Sequence, residues 1–539
     1  MAQADRVVPT PAELAPRIAP TPGDAASLPP RPVPRELAKP QDEVLLDVVA
    51  YEVAPDAPPE LRAALPALTA AYVGRARSYE DLVNATTEVT RFLQRELGYY
   101  LGYAYLPAQA PEGGVVRIAV LEGRLDRVEL RWDDRVPVRR EVVEAYLSHL
   151  KPGDILRVRN VERVVFLVND LRGMNARFDV AAGSRPGTAM LVVTPQAEAR
   201  WSGKVDVDLN GSRFLGTERI GAVALYASPF GRGDGFTATA LSSFGNGLRF
   251  ALLGYVSPVG SSGLKLGATV STVDYALDSA TFDLGLNGSA LNVTAYGLYP
   301  WVRSRNLNLF GLASLEYKRY VDRQDVTASV TRKTVHSLTA GITGDFRDAW
   351  LSGAVNAYEL NVSAGSVRYE GGRSSQLDDD ADHVKLMFSI NRLQNLVDNR
   401  LLLYLALRGQ LTGHRLDTTE QFRLGGPDAV RAFAAGEATG DRGAVMTAEL
   451  RLLPPESWLG PLARELVFGL FYDAGRRGLR PGADGGESRS FSGAGVSVSW
   501  ERPRQWALRA SLATPLAGDP RGDPRERDPR LYLQLTRVF

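Results

Sequence analysis

The chain has 539 residues and a formal net charge of +1, from 63 basic and 62 acidic side chains. This length exceeds one ordinary hydrophobic core and predicts at least two domains, while the balanced charge gives no general basic surface for nucleic acid. The absence of cysteine excludes disulfides, thiolate metal sites and thiol nucleophiles, and the four histidines stand at no metal-ligand spacing. We therefore expect no metal and no cofactor.

Residues 1–42 are rich in proline and alanine. Proline removes backbone donors and disfavours helix, so this stretch is predicted to be an extended N-terminal segment or linker. No run of apolar residues in the chain is long enough for a transmembrane helix.

Residues 43–123 predict the order strand, helix, helix, strand, strand, and residues 124–197 predict the same order again. In the first unit, Ser78 and Asp81 have the spacing of a helix capping box, and Gly98 is placed to end that helix. Two consecutive units with one element order indicate tandem small α+β modules.

From residue 198 to residue 539 the helical periodicity disappears and polar residues alternate with apolar ones. Such alternation, in segments long enough for a tilted strand to cross a bilayer, predicts a strand with one face toward lipid and one toward water. The predicted strands are residues 199–209, 217–227, 235–243, 247–257, 263–272, 290–299, 307–318, 333–345, 350–363, 382–391, 399–411, 441–452, 464–474, 488–498, 506–514 and 530–539.

The connections between these segments alternate in length. If the first strand runs outward, the even-numbered gaps are short and the long gaps are all odd-numbered, which a soluble sandwich would not produce. The last strand ends at Phe539, which suits barrel closure with an aromatic residue at the membrane interface. The predicted fold is therefore α+β modules followed by an all-β, 16-stranded transmembrane antiparallel β-barrel, wide enough for an aqueous lumen.

The longest polar connection, residues 412–440, leads into the most distinctive motifs of the chain. It contains a glycine-rich turn and a short tetrad around one arginine, and it ends in a polar run that enters the next strand. These residues are Gly425, Gly426, Pro427, Asp428, Val430, Arg431, Phe433, Gly440, Asp441, Arg442 and Gly443. In the strand predicted at residues 464–474, alternation points Phe471 and Asp473 inward, and Gly475 directly after it completes an F-x-D-x-G pattern.

Together these motifs resemble those of the outer-membrane transporters of two-partner secretion, the haemolysin/filamentous haemagglutinin activation-secretion family. The resemblance covers roughly residues 43–539. Residues 99–109 with 120–124 resemble the first POTRA module of that family, and residues 152–156, 169–171 and 185–187 resemble the second.

The resemblance implies that residues 43–123 and 124–197 are periplasmic POTRA modules and that residues 198–539 form the barrel. It also implies that residues 412–440 are the sixth extracellular loop, folded back into the lumen. There Arg431 would pair with Asp473 as a latch, the glycine-rich turn and polar run would form the loop motif, and Phe471 with Gly475 would form the barrel-strand motif. Phe539 would close the barrel.

Two features depart from the family pattern. Ala432 occupies the position of a family glycine, and an alanine there would be strained if the backbone required a positive φ. Many relatives also carry an N-terminal helix that plugs the pore, whereas residues 5–42 are interrupted by prolines and predict no helix long enough to span a lumen.

The implied function is an outer-membrane pore, not an enzyme, that binds an unfolded secreted partner through its POTRA modules and translocates it. The partner would be an adhesin, haemolysin, contact-dependent toxin or haem-binding protein, and the barrel would stand in lipid as a monomer. The alternative is a barrel-assembly or insertion factor of the same superfamily. A diffusion porin would not need residues 43–196, and a barrel lipase would need a nucleophile motif that the sequence lacks.

Overall fold

The computed structural model describes residues 45–245, 247–278, 285–370, 382–397, 400–479, 488–518 and 528–539. The segment predicted at residues 1–42 lies outside them. The described residues form two compact units, one of residues 45–198 with 303–305 and one of the remaining residues from 199 onward.

The first module of the smaller unit places two helices against a three-stranded sheet. Strand β2 pairs parallel to β5, β4 pairs antiparallel to β5, and β1 pairs with β3 in a separate ribbon. Its elements are β1 (Leu45–Val48), β2 (Ala50–Val53), α1 (Pro59–Thr69), a 3₁₀ turn (Ala70–Tyr72), β3 (Gly74–Ser78), α2 (Tyr79–Arg95), β4 (Tyr103–Tyr105) and β5 (Val115–Leu121).

Helix α2 begins and ends where its sequence predicts. The Ser78 hydroxyl accepts a hydrogen bond from the Asp81 amide at 3.2 Å, and the Asp81 carboxylate accepts one from the Ser78 amide at 3.0 Å. These two bonds satisfy donors that the first helical turn leaves open. After the helix, Gly98 has a φ of +65°, which reverses the chain.

The second module repeats this sheet. Strand β6 pairs parallel to β8 and β7 pairs antiparallel to β8, so the last strand is again central. Its elements are β6 (Arg124–Leu130), α3 (Arg140–Leu147), α4 (Val158–Asn169), β7 (Met174–Ala182) and β8 (Thr188–Ala197). Val143, Val161 and Val165 of its helices pack on Leu191 and Val193 of β8 to form the core.

Sixteen strands of the described residues close into one barrel, in which β26 pairs with β9. Two further short strands, β20 (Phe422–Arg423) and β21 (Thr439–Gly440), pair with each other outside the barrel sheet. The barrel strands are β9 (Trp201–Asp208), β10 (Arg219–Ala227), β11 (Gly235–Ser243), β12 (Leu248–Pro258), β13 (Lys265–Ala276), β14 (Leu286–Arg303), β15 (Leu307–Gln324), β16 (Ser329–Asp348), β17 (Ala354–Glu370), β18 (Asp382–Val397), β19 (Leu401–Thr412), β22 (Arg442–Leu452), β23 (Leu466–Gly478), β24 (Ser488–Arg502), β25 (Trp506–Ala517) and β26 (Arg530–Val538).

The two faces of the barrel wall differ in chemistry, as period-two alternation requires. Outward-facing positions carry exposed aliphatic side chains, and inward-facing positions carry hydroxyl, amide and charged groups. The outward band includes Leu253, Leu266, Val270, Leu315, Leu338, Val362, Val384, Ile390, Leu411, Met446, Leu470, Val496, Leu512 and Leu531. The inward set includes Ser271, Asn292, Thr294, Ser314, Ser337, Thr339, Asn361, Ser363, Gln410, Glu449 and Asp473. Among the described helices, none is both long and apolar enough to cross a membrane.

Aromatic side chains gather on the outer surface at the end of the barrel that carries the short turns. Trp201 stacks on Tyr226 at 4.3 Å between ring centroids, and Phe236 lies 4.9 Å from Tyr255. Phe539 joins this belt: its backbone exchanges two hydrogen bonds with Gly203, and its ring lies where a side chain at Gly203 would stand. Such a belt marks the level of the membrane interface.

Each of the sixteen predicted strand segments overlaps one barrel strand. Strands β14 to β17 run several residues beyond their predicted ends, because the sheet continues after alternation ends and both faces meet water. One short-turn connection, residues 453–465, holds the one-turn helix α5 (Glu456–Leu459) and a 3₁₀ turn (Gly460–Arg464). In the smaller unit, β3 was not predicted, because its short sequence between two helices is largely polar.

Candidate functional site in the barrel lumen

The connection between β19 and β22, residues 413–441, lies inside the barrel. Its side chains contact inward-facing residues of β15, β18, β23 and β24. Because these strands lie on different sides of a closed barrel, only a loop within the lumen reaches all of them. We call residues 416–421 the loop base and residues 424–433 the loop tip.

The loop tip is a tight turn that its glycines permit. Gly426 has a φ of +124°, which side chains rarely adopt, and a Cβ on Gly425 would overlap the carbonyl oxygen of Ala434. The Leu424 amide donates to the Ala438 carbonyl at 2.9 Å, and the Val430 amide donates to the Leu424 carbonyl at 3.1 Å. These hydrogen bonds close the turn and bring residues 430–433 to the barrel wall.

Apolar contacts seat the tip on strands β22 to β25. Phe433 is fully buried and stacks on Phe491 with 4.1 Å between ring centroids and 8° between ring planes. The Tyr532 hydroxyl of β26 donates to the Phe433 carbonyl at 3.1 Å. The buried cluster comprises Phe422, Leu424, Ala429, Val430, Ala432, Phe433, Ala438, Val445, Phe471, Phe491 and Ala513.

Arg431 and Asp473 are in direct, bidentate contact. The Arg431 Nε donates to Asp473 Oδ2 at 2.8 Å and Nη2 donates to Oδ1 at 3.0 Å. The Arg431 amide donates to Oδ2 at 3.1 Å, and the Thr447 hydroxyl donates to Oδ1 at 2.8 Å. Asp473 is 1% exposed. Four donors on one buried carboxylate form a geometrically exacting, well-satisfied site.

Glu449 is a second carboxylate acceptor for the Arg431 guanidinium. Arg431 Nη1 donates to Glu449 Oε2 at 3.1 Å, while the other Glu449 oxygen accepts from Ser497 at 3.1 Å and Arg451 at 3.3 Å. The guanidinium also lies 3.3 Å from the ring centroid of Phe471, a cation–π contact. Strand alternation alone could have nominated Glu449, since it points into the lumen beside Asp473.

Glycines of the wall leave room for the tip. A Cβ on Gly475 would stand 2.5 Å from Leu424 Cδ1, and one on Gly493 would overlap the Ala432 methyl group. Ala432 does not adopt a positive φ, so alanine is tolerated here without backbone strain. The methyl group fills the space above Gly493, which accounts for the departure from the family glycine in physical terms.

The loop base holds Glu420 against two lysines of the opposite wall. Lys318 Nζ of β15 donates to Glu420 Oε1 at 3.0 Å, and Lys385 Nζ of β18 donates to Oε2 at 2.7 Å. Gln410 donates to the Glu420 carbonyl at 3.0 Å. Burial by itself raises the pKa of the Glu420 carboxyl, but Lys318 and Lys385 together lower that pKa far below its usual range.

Asp417 makes a parallel set of contacts. Lys333 Nζ of β16 donates to Asp417 Oδ1 at 2.9 Å, and the Tyr369 hydroxyl of β17 donates to the other carboxylate oxygen. The Thr419 amide donates to Oδ1 at 3.0 Å. Burial raises the pKa of this carboxyl, yet Lys333 and these hydrogen bonds leave it below its usual range. Sequence reasoning missed the whole base cluster.

The other predicted loop residues lie around the loop and make structural contacts there. Asp441 is fully buried, and its Oδ1 accepts from the Leu416 amide at 3.0 Å and from Gln421 at 3.1 Å. Gly443 and Gly440 lie against Phe422 and Arg477 respectively, where a Cβ would crowd them.

Three predicted loop residues stand apart from the buried contacts. Asp428 and Arg442 are exposed and Pro427 is partly exposed, so the structure does not bring them into the Arg431 cluster. Among the described residues, no three or more His, Asp or Glu side chains are arranged to hold a metal ion.

Comparison with known proteins relates both units to one family. The model of the haemolysin secretion/activation protein ShlB/FhaC/HecB matches residues 187–500, and a ShlB-type POTRA domain matches residues 60–123. The heme/hemopexin transporter protein HuxB of Haemophilus influenzae is 25% identical over 457 residues, which are 83% of this chain and 79% of HuxB. The outer membrane transporter CdiB of Dickeya dadantii is 25% identical over 428 residues, 76% of this chain and 72% of CdiB.

A solved structure has the same architecture. CdiB from Escherichia coli aligns with a TM-score of 0.70 and 18% identity, covering 94% of this chain and 93% of that chain. At this identity the likeness establishes a shared fold, that of a closed barrel preceded by small α+β modules.

Proposed function

Since the chain belongs to the haemolysin secretion/activation protein family ShlB/FhaC/HecB, a family of outer-membrane transporters of two-partner secretion, we propose that its POTRA modules capture one unfolded secreted protein and deliver it to the barrel. The barrel passes that protein to the cell surface. The observation that carries the proposal is the loop inside the closed barrel, held to the wall by Arg431 and Asp473.

The loop then acts as a latch. Its tip occupies the lumen, so a polypeptide passes only after the tip has moved. The contact of Arg431 with Asp473 and Glu449 supports this role, because it is specific in geometry yet rests on a single cation. Opening therefore requires the displacement of Arg431 from two acceptors and of the apolar contacts around Phe433, but no breakage of the barrel sheet.

The cargo is a secreted adhesin, haemolysin, toxin or haem-binding protein. HuxB is named a heme/hemopexin transporter, which supports the last of these classes. The barrel works as a monomer in lipid: among the residues that the structure describes, its sheet closes on itself through β26 and β9, and this sheet has no open edge for pairing with another copy. The proposed role is transport without catalysis and without nucleic acid.

A secretion assay tests this function. The large secreted protein encoded beside this chain is expressed with and without the chain, and its amount in the medium is measured. We expect it to reach the medium only when the chain is present. Equal secretion without the chain would contradict the proposal, and the levels of other outer-membrane barrels would then test the barrel-assembly alternative.

A further inference from the structure

The loop contacts the barrel at two places that share no side chain. The tip meets strands β22 to β26, through Arg431 and the aromatic cluster around Phe433. The base meets strands β15 to β19, through Asp417 and Glu420. Between them the loop is held by the two-residue pairing of β20 with β21.

The cations of the base are more shielded from solvent than the cation of the tip. The side chains of Lys318, Lys333 and Lys385 are 8%, 3% and 8% exposed, whereas the side chain of Arg431 is 12% exposed. The carboxylates are buried at both contacts, since Asp473 is 1% exposed. A buried ion pair that loses one partner leaves a charge without water or a counter-charge, which is strongly unfavourable. Displacement of the base therefore removes a counter-charge from three shielded cations, whereas displacement of the tip moves a single, more exposed cation.

The base also spreads its attachment over more groups. Three lysines on three strands hold its two carboxylates, and Lys318 is itself shared with Glu316 at 2.9 Å. The tip brings one cation, Arg431, to two carboxylates, beside the apolar contacts around Phe433. Loss of Arg431 removes both ion pairs of the tip, whereas loss of any one lysine leaves the base with the other two.

We propose that Asp417 and Glu420 are positioning residues that form a second, independent anchor, so that the loop stays fixed at its base when its tip releases. Lys318, Lys333 and Lys385 are the wall side of that anchor. The tip then moves out of the lumen about this fixed base. When the tip returns, Arg431 pairs again with Asp473. This step goes beyond the proposed latch, which concerns the tip alone.

Cysteine labelling tests the proposal cleanly, because the natural chain has no cysteine. Leu416→Cys reports on the base and Ala429→Cys reports on the tip, since both parent side chains are 4% exposed. The full chain, purified in detergent, is reacted with a bulky maleimide, and the labelling rate of each reporter is compared between backgrounds.

In the Asp417→Asn/Glu420→Gln background, we expect the labelling rate at Leu416→Cys to rise at least about tenfold, because Lys333 and Lys385 lose their base carboxylates and Lys318 keeps only Glu316. The rate at Ala429→Cys should change by less than about twofold, because the two anchors share no partner. In the Arg431→Ala background the pattern should reverse. Heat-modifiable migration in gels shows that each barrel has folded.

A charge exchange separates an anchor from a merely structural role. Asp417→Lys alone should expose the Leu416→Cys reporter, and the added Lys333→Asp should restore most of its protection, since the exchange rebuilds an ion pair across the same gap. Protection of the base reporter in the folded Asp417→Asn/Glu420→Gln variant would overturn the proposal. Exposure of both reporters by Arg431→Ala would also overturn it, by showing that the loop moves as one piece. The assay uses no cargo, so its failure would leave the transport function standing.

Discussion

At the scale of single residues, the guanidinium group of Arg431 has interaction partners on three sides. Two carboxylates accept from its guanidinium and the ring of Phe471 lies beneath it. A buried ion pair adds little net stability when intact, since both ions lose their hydration, but removal of one partner costs about 3–5 kcal/mol. The contact is thus better suited to fixing one position of the tip than to stabilising the barrel.

We predict that Arg431→Ala lowers export of the partner protein by at least about tenfold while the barrel still assembles, because Asp473 would be left buried without its cation and Glu449 would keep only Arg451. Without the contact between Arg431 and Asp473, the loop tip no longer takes one defined position in the lumen. Export is measured as partner protein in the medium, and assembly as heat-modifiable barrel in the membrane fraction.

Arg442→Ala is the matched control for that variant. Arg442 belongs to the same loop motif but is exposed, so its loss removes equal charge without unpairing a buried group. We expect export to stay near the parent level. Normal export by Arg431→Ala, or an equal loss in both variants, would contradict the latch.

The family resemblance implied the tip pair because both of its members sit in recognisable motifs, Arg431 in the loop and Asp473 on β23. The base could not be predicted from the sequence. Lys318, Lys333 and Lys385 lie on three strands with no local spacing that marks a site, and only closure of the barrel brings them to Asp417 and Glu420. Long-range pairing of this kind leaves no periodic signal.

At the scale of elements, β23 is the strand that receives the tip. Its inward positions present Phe471 beneath the guanidinium, Asp473 as the acceptor and Gly475 as open space for Leu424 and Val430. The alternation that points these residues inward also points Leu470 and Tyr472 outward to the membrane face. One strand therefore serves the lumen and the lipid at once.

We predict that Gly475→Val unseats the tip, because the added side chain would overlap Leu424 and crowd Val430 and Val445. Overpacking of this kind costs about 1–3 kcal/mol. The labelling rate at Ala429→Cys should rise relative to the parent, and export should fall.

Gly478→Val, on the same strand, is the control for that change. A Cβ at Gly478 meets only the flexible Arg442 side chain, so the tip should stay protected. If Gly475→Val leaves Ala429→Cys as protected as Gly478→Val does, the glycine is not what admits the tip.

The alternation of polar and apolar residues predicted that each barrel strand exists, but it did not predict where each strand ends. Strand β16, predicted at residues 333–345, runs from Ser329 to Asp348. Lipid and lumen impose opposite chemistry only within the bilayer. Beyond it both faces are wet and the sequence no longer distinguishes strand from loop.

At the scale of the whole molecule, the barrel has to remain closed while the loop moves inside it. The sheet is continuous because β26 pairs with β9 from Gln534 to Val538, and Phe539 adds two backbone hydrogen bonds to Gly203 beyond that pairing. The loop's two contacts fall on different arcs of this closed sheet, so displacement of the tip need not open the seam.

The seam itself gives the last prediction. Deletion of Phe539 removes both backbone bonds to Gly203 and the ring that covers it, whereas Phe539→Ala removes the ring alone. Each hydrogen bond contributes about 1 kcal/mol, and an unpaired backbone group at the seam costs more than a paired one contributes. We therefore expect less heat-modifiable barrel for Phe539→Ala than for the parent, and less again for the deletion. Equal assembly of the two variants would show that the ring, rather than the backbone pairing, is what the terminus supplies to closure.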